Sequence, residues 1–151
     1  MFSKLFNMCL NVVKAGLTPA CRDINVLTQV AYVVAREKGL TVVNSVSTNP
    51  LHYMLLTVDG FNLVNLIKQG ERDVVKYRQL FYTIPNFGKG MLIISRPERH
   101  PDHHLLTELI EKKKIARLGI ELSKDFSIAL HVDNFSLLHP VLKSKVVKIV
   151  V

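Results

Sequence analysis

Tryptophan is absent from this 151-residue chain and cysteine is nearly so, with only Cys9 and Cys21. The two do not form a CxxC pair, and no second pair stands elsewhere to complete a thiolate zinc site. Disulfides are therefore excluded as the main support of the fold, and buried reduced thiols are expected. Long apolar runs are also lacking. None approaches the roughly 18–20 residues of a bilayer-spanning helix, so no membrane partner is expected. Acidic residues are scarce: 12 stand against 20 Lys and Arg, a formal net charge of +8. Residues 1–22 hold none at all, while carrying Lys4, Lys14 and Arg22.

Motifs of catalysis are missing as well. There is no G-x-S-x-G nucleophile turn. Gly88-Lys89-Gly90 is too short for a phosphate-cradling loop and lacks the following Ser or Thr. The carboxylates are scattered, and none are paired as acid and base. An enzyme is not expected, nor a cofactor, nor a small-molecule substrate.

What is present is a core. Hydrophobic residues make up 48% of the chain and charged residues 21%, a balance that excludes wholesale disorder. Phe2, Leu5, Phe6, Cys9, Val12 and Val13 recur at helical spacing and predict a first helix, stopped by Gly16. Its basic, acid-free character also suits a mitochondrial address. Ile24 and Val26 alternate as in a short strand. Asn25 is the expected cap of a second helix, whose buried face is Leu27, Val30, Ala31 and Val34 and whose end is Lys38-Gly39. Strands are expected at 40–46, 52–58, 74–77, 91–94, 115–122, 127–131 and 145–151. A helix is expected at 105–114. Residues 61–68 fit neither period. The fold class is α/β (α+β) in two small lobes: an N-terminal α-β-α-β-β lobe over 1–80 and a β-rich, RNA-binding lobe with one helix over 81–151.

Two constellations invite chemistry. His100-Pro101-Asp102-His103-His104 concentrates imidazoles and a carboxylate, the donor types of zinc. It partly resembles the His-x-His-x-Asp-His run of metallo-β-lactamase-type hydrolases, with Glu98 standing where the first histidine belongs. A zinc hydrolase using His100, Asp102, His103 and His104 is one alternative. The other constellation is basic. Lys68, Arg72, Lys76, Arg78, Lys89, Arg96 and Arg99 are interleaved with Tyr77, Phe81, Tyr82 and Phe87, and Lys112, Lys113, Lys114 and Arg117 form a second patch. Guanidinium forks suit phosphates, and aromatic rings suit unstacked bases. Charge runs are ordinarily only solvated faces. Two of them in a chain of this net charge favour a polyanion, RNA above all. A basic scaffold that meets acidic proteins is the remaining alternative.

Three stretches resemble one family. Asn25-Val26-Leu27 through Glu37-Lys38-Gly39 is similar to a Ser-Lys-Leu helix start with a closing Glu-Gly. Val75-Lys76-Tyr77-Arg78 and then Ile93-Ile94-Ser95-Arg96-Pro97-Glu98-Arg99 are similar to a Leu-Lys-Tyr strand followed by Ile-Ser-Lys/Arg-Pro-Gly-x-Arg, with Glu98 in place of the glycine. Leu118-Gly119-Ile120 is similar to a Gly-Leu-Gly-Ile strand entry. In order and spacing these resemble small-subunit ribosomal protein eight, in a divergent mitochondrial form. Lys14 falls where that family has an RNA-facing Arg or Lys; Ala15 replaces its asparagine. The family's Ser-Thr-Ser loop falls at His131-Val132-Asp133 and is not matched, and its late Gly-Gly is replaced near Ser144-Lys145.

The resemblance implies a two-lobed structural protein of the mitochondrial small ribosomal subunit in the matrix. It would bind central-domain rRNA, support assembly and neighbour ribosomal protein five. The residues expected to meet RNA are Lys14, Lys76, Arg78, Lys89, Ser95, Arg96, Arg99, Lys112, Lys113, Lys114, His131 and Asn134. Residues 60–72 would be an insertion relative to the family.

Overall fold

A computed structural model describes residues 2–69, 88–116 and 120–150. The expected strand at 74–77, with Lys76, Arg78 and the aromatic residues Tyr77, Phe81, Tyr82 and Phe87, lies outside the described residues, as do Arg72 and Arg117.

The fold is α/β, as its sequence indicates. Helix α1 (Phe2–Lys14) leads into strand β1 (Pro19–Cys21), and α2 (Ile24–Glu37) into β2 (Thr41–Val43). Strand β3 (His52–Asp59) runs directly into α3 (Gly60–Gln69), which resolves the ambiguous 61–68 segment as helix. Then follow β4 (Gly90–Ser95), a 3-10 turn (Pro97–Arg99) and α4 (His104–Lys112). A small antiparallel pair, β5 (Lys114–Ile115) and β6 (Ile120–Glu121), stands where one strand over 115–122 is expected. The chain closes with β7 (Phe126–His131), a second 3-10 turn (Phe135–Leu137), α5 (Pro140–Lys143) and β8 (Val147–Ile149).

Two local expectations are corrected. Ile24 and Val26 are helical, not extended, and the strand precedes them at Pro19–Cys21. The cap of α2 is Asp23, whose carboxylate accepts the Asn25 N–H at 2.9 Å. Asp23 has the extended backbone (φ −104°, ψ 104°) of a residue that caps a helix from outside it. At the other end Gly39, at φ +68°, takes the left-handed cap at little cost.

Six strands form one parallel sheet in the order β2-β3-β4-β7-β1-β8. The sheet is continuous across residue 80. Strands β1, β2 and β3 come from before it and β4, β7 and β8 from after it, and β1 lies between β7 and β8. The strands therefore do not sort into two lobes.

Parallel strands need both faces covered, and their alternation shows how this is done. Tyr53, Leu55, Met91, Ile93 and Ala129 pack with Val13 of α1 and Val26, Leu27, Val30 and Val34 of α2. The intervening Met54, Leu56, Val58, Leu92, Ile94, Ile128 and Leu130 pack with Leu63 and Val64 of α3, Leu106 and Leu109 of α4, and Leu142 of α5. Gly90 allows the β3–β4 approach: a Cβ there would stand 2.1 Å from the Met54 carbonyl oxygen.

This layering fixes where a site can form. After β1 the chain leaves toward the α1/α2 face; after β7 it leaves toward the α5 face. Adjacent strands whose exits diverge open a crevice at their C-terminal ends, the switch point at which open parallel sheets bind ligands.

Candidate nucleic-acid interface

This switch point lies at the C-terminal ends of β7 and β1, with β4 next to β7 on the side away from β1. Ser95 is the last residue of β4 and stands in register with His131, the last of β7, which is in turn in register with Cys21 of β1. Register therefore brings side chains from distant parts of the sequence into one row. The Ser95 hydroxyl and His131 Nδ1 are 2.8 Å apart, and His131 Nε2 is 3.4 Å from Asp133 Oδ1. The carboxylate favours the ring proton on Nε2, which leaves Nδ1 to accept from Ser95. His131 is buried while Asp133 is exposed.

The arginines arrive through an unusual backbone. Arg96 has φ 57° and ψ 49°, the left-handed region, and it precedes a proline. Such a conformation is costly for a side chain with a Cβ and persists only when its surroundings hold it. Here the Arg96 N–H donates to the His131 carbonyl at 2.7 Å. Glu98, buried in the following turn, accepts the Asn134 N–H at 2.7 Å through Oε2. These two bonds tie the Ser95–Arg99 segment to the 131–134 loop. Glu98 is thus a strut between the two segments.

Both arginines converge on Asp133. Arg96 Nε lies 3.2 Å and Arg99 Nη2 3.7 Å from Asp133 Oδ2. Arg96 Nε is enclosed, yet it has no aligned hydrogen-bond acceptor among the described residues. The contact with Asp133 is ionic, off the N–H axis. Asn134 Oδ1 accepts from the Ser136 N–H and hydroxyl, which leaves its NH2 group for donation. On the β1 side, Arg22 and Lys148 stand 5.8 and 4.8 Å from the Phe135 ring centroid. Both cations are exposed over a buried ring, and cation–π attraction holds them near the crevice. Neither was expected as a contact residue. Arg22 follows β1 directly, a position that gains meaning only once β1 is known to neighbour β7.

The structure therefore brings together Ser95, Arg96, Arg99, His131 and Asn134. It does not bring the other described candidates to them. Lys89 precedes β4 and so lies at the opposite, N-terminal edge of the sheet. Lys112, Lys113 and Lys114 end α4 and begin β5 near that same edge, where Lys113 Nζ donates to the Lys124 carbonyl at 3.2 Å. Burial pushes the Lys113 pKa down, against the pull of Asp125. Lys14 Nζ is bonded to Glu37 at 2.9–3.0 Å, an exposed pair that ties α1 to α2.

The histidine segment is committed to local structure. His100 Nε2 meets Asn65 Oδ1 at 2.9 Å, and its Nδ1 accepts the Asp102 N–H at 3.0 Å. Asp102 accepts the His104 N–H at the start of α4 and pairs with Lys68 at 3.2 Å. The His104 N–H bond and then Lys68 hold its carboxyl below the usual range. His103 stacks on His139 with ring centroids 3.6 Å apart. Among the described residues no three His, Cys, Asp or Glu side chains are grouped to hold a metal ion, and no helix is long and apolar enough to cross a membrane. These local contacts engage His100, Asp102 and His103 of the run.

No family model, curated protein or solved structure matches this chain.

Proposed function

We propose that the chain binds RNA as a structural component, with the crevice edge of the sheet as its contact surface. The observation that carries this reading is the convergence of Arg96, Arg99, Ser95, His131 and Asn134 from two distant segments onto one solvent-facing edge, flanked by Arg22 and Lys148. Guanidiniums supply forked donors for phosphate oxygens, and hydroxyl and amide groups supply shape-dependent contacts to backbone and 2′-hydroxyls. Lys89 and Lys112–Lys114, at the far edge, add to the long-range field.

The resemblance to small-subunit ribosomal protein eight narrows the proposed partner to central-domain rRNA of a mitochondrial small subunit. One of its motifs, Ile93–Arg99, supplies half of the crevice. The ribosomal setting rests on that motif order, and RNA binding rests on the crevice.

Ser95, His131 and Asp133 have the composition of a nucleophile relay. Two features favour a positioning role instead. Arg96 and Arg99 draw on the carboxylate that would otherwise stabilise an imidazolium, and Ser95 ends a regular strand and is not on a sharp nucleophile turn.

The test is a binding titration of the purified protein against a small-subunit central-domain rRNA fragment and a random duplex, across salt. Tighter binding to the fragment with a steep salt dependence is expected. Equal binding to both would end the specific version, and no binding to either would end the RNA reading. Sedimentation from organelle extract tests the setting: the protein should travel with small-subunit particles.

A further inference from the structure

Asp133 is out of place on a phosphate-binding edge. It puts a carboxylate among the groups that would meet RNA. Its surroundings suggest what it does there. One carboxylate, with 46% of its side chain exposed, receives Arg96 Nε at 3.2 Å, Arg99 Nη2 at 3.7 Å and His131 Nε2 at 3.4 Å. Three nitrogen-bearing groups from two segments, gathered around one small anion at the C-terminal ends of β4 and β7, describe a receptor for an oxyanion.

The anion in place is a poor match. Arg96 Nε has no aligned acceptor among the described residues, although Asp133 is near. A carboxylate offers two oxygens in one plane, whereas a phosphate offers oxygens in tetrahedral array and so can align with donors arriving from different directions. Half-exposed ion pairs such as those of Arg96 and Arg99 hold a carboxylate only weakly. Asp133 sits on the loop between β7 and the Phe135 turn, not within an element, so its side chain can leave without disturbing the sheet.

We infer that the position of the Asp133 carboxylate is a phosphate subsite, and that Asp133 is an internal competitor which an RNA phosphate displaces. This rests on the RNA reading above and adds the location of one bound phosphate and a built-in brake on affinity. The brake also bears on selectivity. A phosphate that reaches Arg96, Arg99 and His131 together can displace the carboxylate, whereas loose contact with one arginine cannot, so weak non-specific binding is suppressed.

The test compares Asp133→Asn with Asp125→Asn. Asp125 is exposed and precedes β7, so it lies at the opposite edge of the sheet and reports the effect of one lost negative charge alone. The probe is a fluorescein-labelled RNA hairpin followed by fluorescence anisotropy over a salt series. Asp133→Asn is expected to bind roughly fivefold tighter than the parent, with a log K against log salt slope steeper by about 1 as a further phosphate contact forms. Asp125→Asn is expected within about twofold of the parent. If the parent binds and the two variants are alike, the subsite is wrong while the RNA reading stands. If no variant binds the hairpin, the RNA reading falls, and inorganic phosphate decides the subsite. Movement of the His131 ring signals in NMR at lower phosphate concentration in Asp133→Asn than in the parent would support it. Unmoved signals in both would overturn it.

Discussion

The left-handed backbone of Arg96 allows its two contributions, one to stability and one to binding, to be separated. The perturbation is a pair of variants, Arg96→Ala and Arg96→Gly. Both remove the guanidinium and its ionic contact with Asp133 at 3.2 Å. Only glycine also relieves the conformation at φ 57°, ψ 49°. A Cβ in that region costs roughly 1–2 kcal/mol, and glycine returns about 0.5–1 kcal/mol of this through its greater freedom when unfolded. The net advantage of Gly over Ala is therefore about 0.5–1 kcal/mol. For a chain of this size that corresponds to a Tm roughly 2–3 °C higher. RNA affinity should respond differently. A charge-assisted hydrogen bond contributes about 1.5–3 kcal/mol, and the Arg96 side chain is 43% exposed, which favours the lower end. Both variants should then bind roughly tenfold more weakly, with a salt slope shallower by about 0.9. Thermal melts and anisotropy titrations on the same preparations read both quantities. Equal melting of the two variants would refute the strain assigned to Arg96. Parental affinity in either would refute its place in the interface.

Other consequences are simpler to test. Gly90→Ala puts a Cβ 2.1 Å from a backbone oxygen in the adjoining strand; a loss of about 3 kcal/mol or more is expected, a Tm drop of roughly 6–12 °C, and a melt within a degree or two of the parent would contradict the packing. His103 has its pKa lowered from the ordinary 6.5, first by desolvation, then by His139 and His104, with Asp102 opposing. A depressed imidazole stabilises the fold above its unfolded pKa and ceases to do so as pH falls through the folded one, so Tm should decline between pH 7 and pH 5. His103→Phe, which keeps a ring on His139, should flatten that decline, and an unchanged slope would count against the stack as its source. Cys9 and Cys21 are buried, and their shared hydrogen bond pushes the Cys9 pKa up and lowers that of Cys21. Iodoacetamide should leave both unlabelled in the native protein and modify both in denaturant; rapid native labelling seen by mass spectrometry would refute their burial.

Much of this architecture is legible in the sequence because periodicity is a local property. The stripe of Phe2 to Val13, the face of Leu27 to Val34 and the strand at 52–58 need only their own neighbours to be recognised. Caps are nearly as local, and the error of two residues between Asn25 and Asp23 arose because both side chains can accept an N–H. What the sequence did not reveal was strand order. Nothing in Pro19-Ala20-Cys21 announces a central strand, because its pairing with β7 and β8 joins residues more than a hundred positions apart. Hence the expected division at residue 80, which follows the resemblance, does not divide the sheet.

The candidate site divides in the same way. Ser95, Arg96 and Arg99 stand out by charge and motif, and His131 and Asn134 by their place at the loop that the resemblance implies. Nothing in the sequence marks Asp133, because its contacts with Arg96 and Arg99 join two distant segments. Arg22 and Lys148 carry no such mark, because the surface they share, around Phe135, exists only after folding. Lys89 and Lys112–Lys114 are basic by sequence but face another edge, since composition carries no direction.

The placing of β1 has a consequence for how the molecule is made. A ribosome releases β1 early, yet the strands on both its sides, β7 and β8, come from the last quarter of the chain. Until those residues emerge, the α1–β1–α2 segment has no sheet edge to close on, and its apolar face stays open to chaperones or to neighbouring nascent chains. Folding cannot proceed piecewise from the front. A stalled or clipped product lacking the final strands would lose the register that aligns Cys21, His131 and Ser95, and with it the whole crevice.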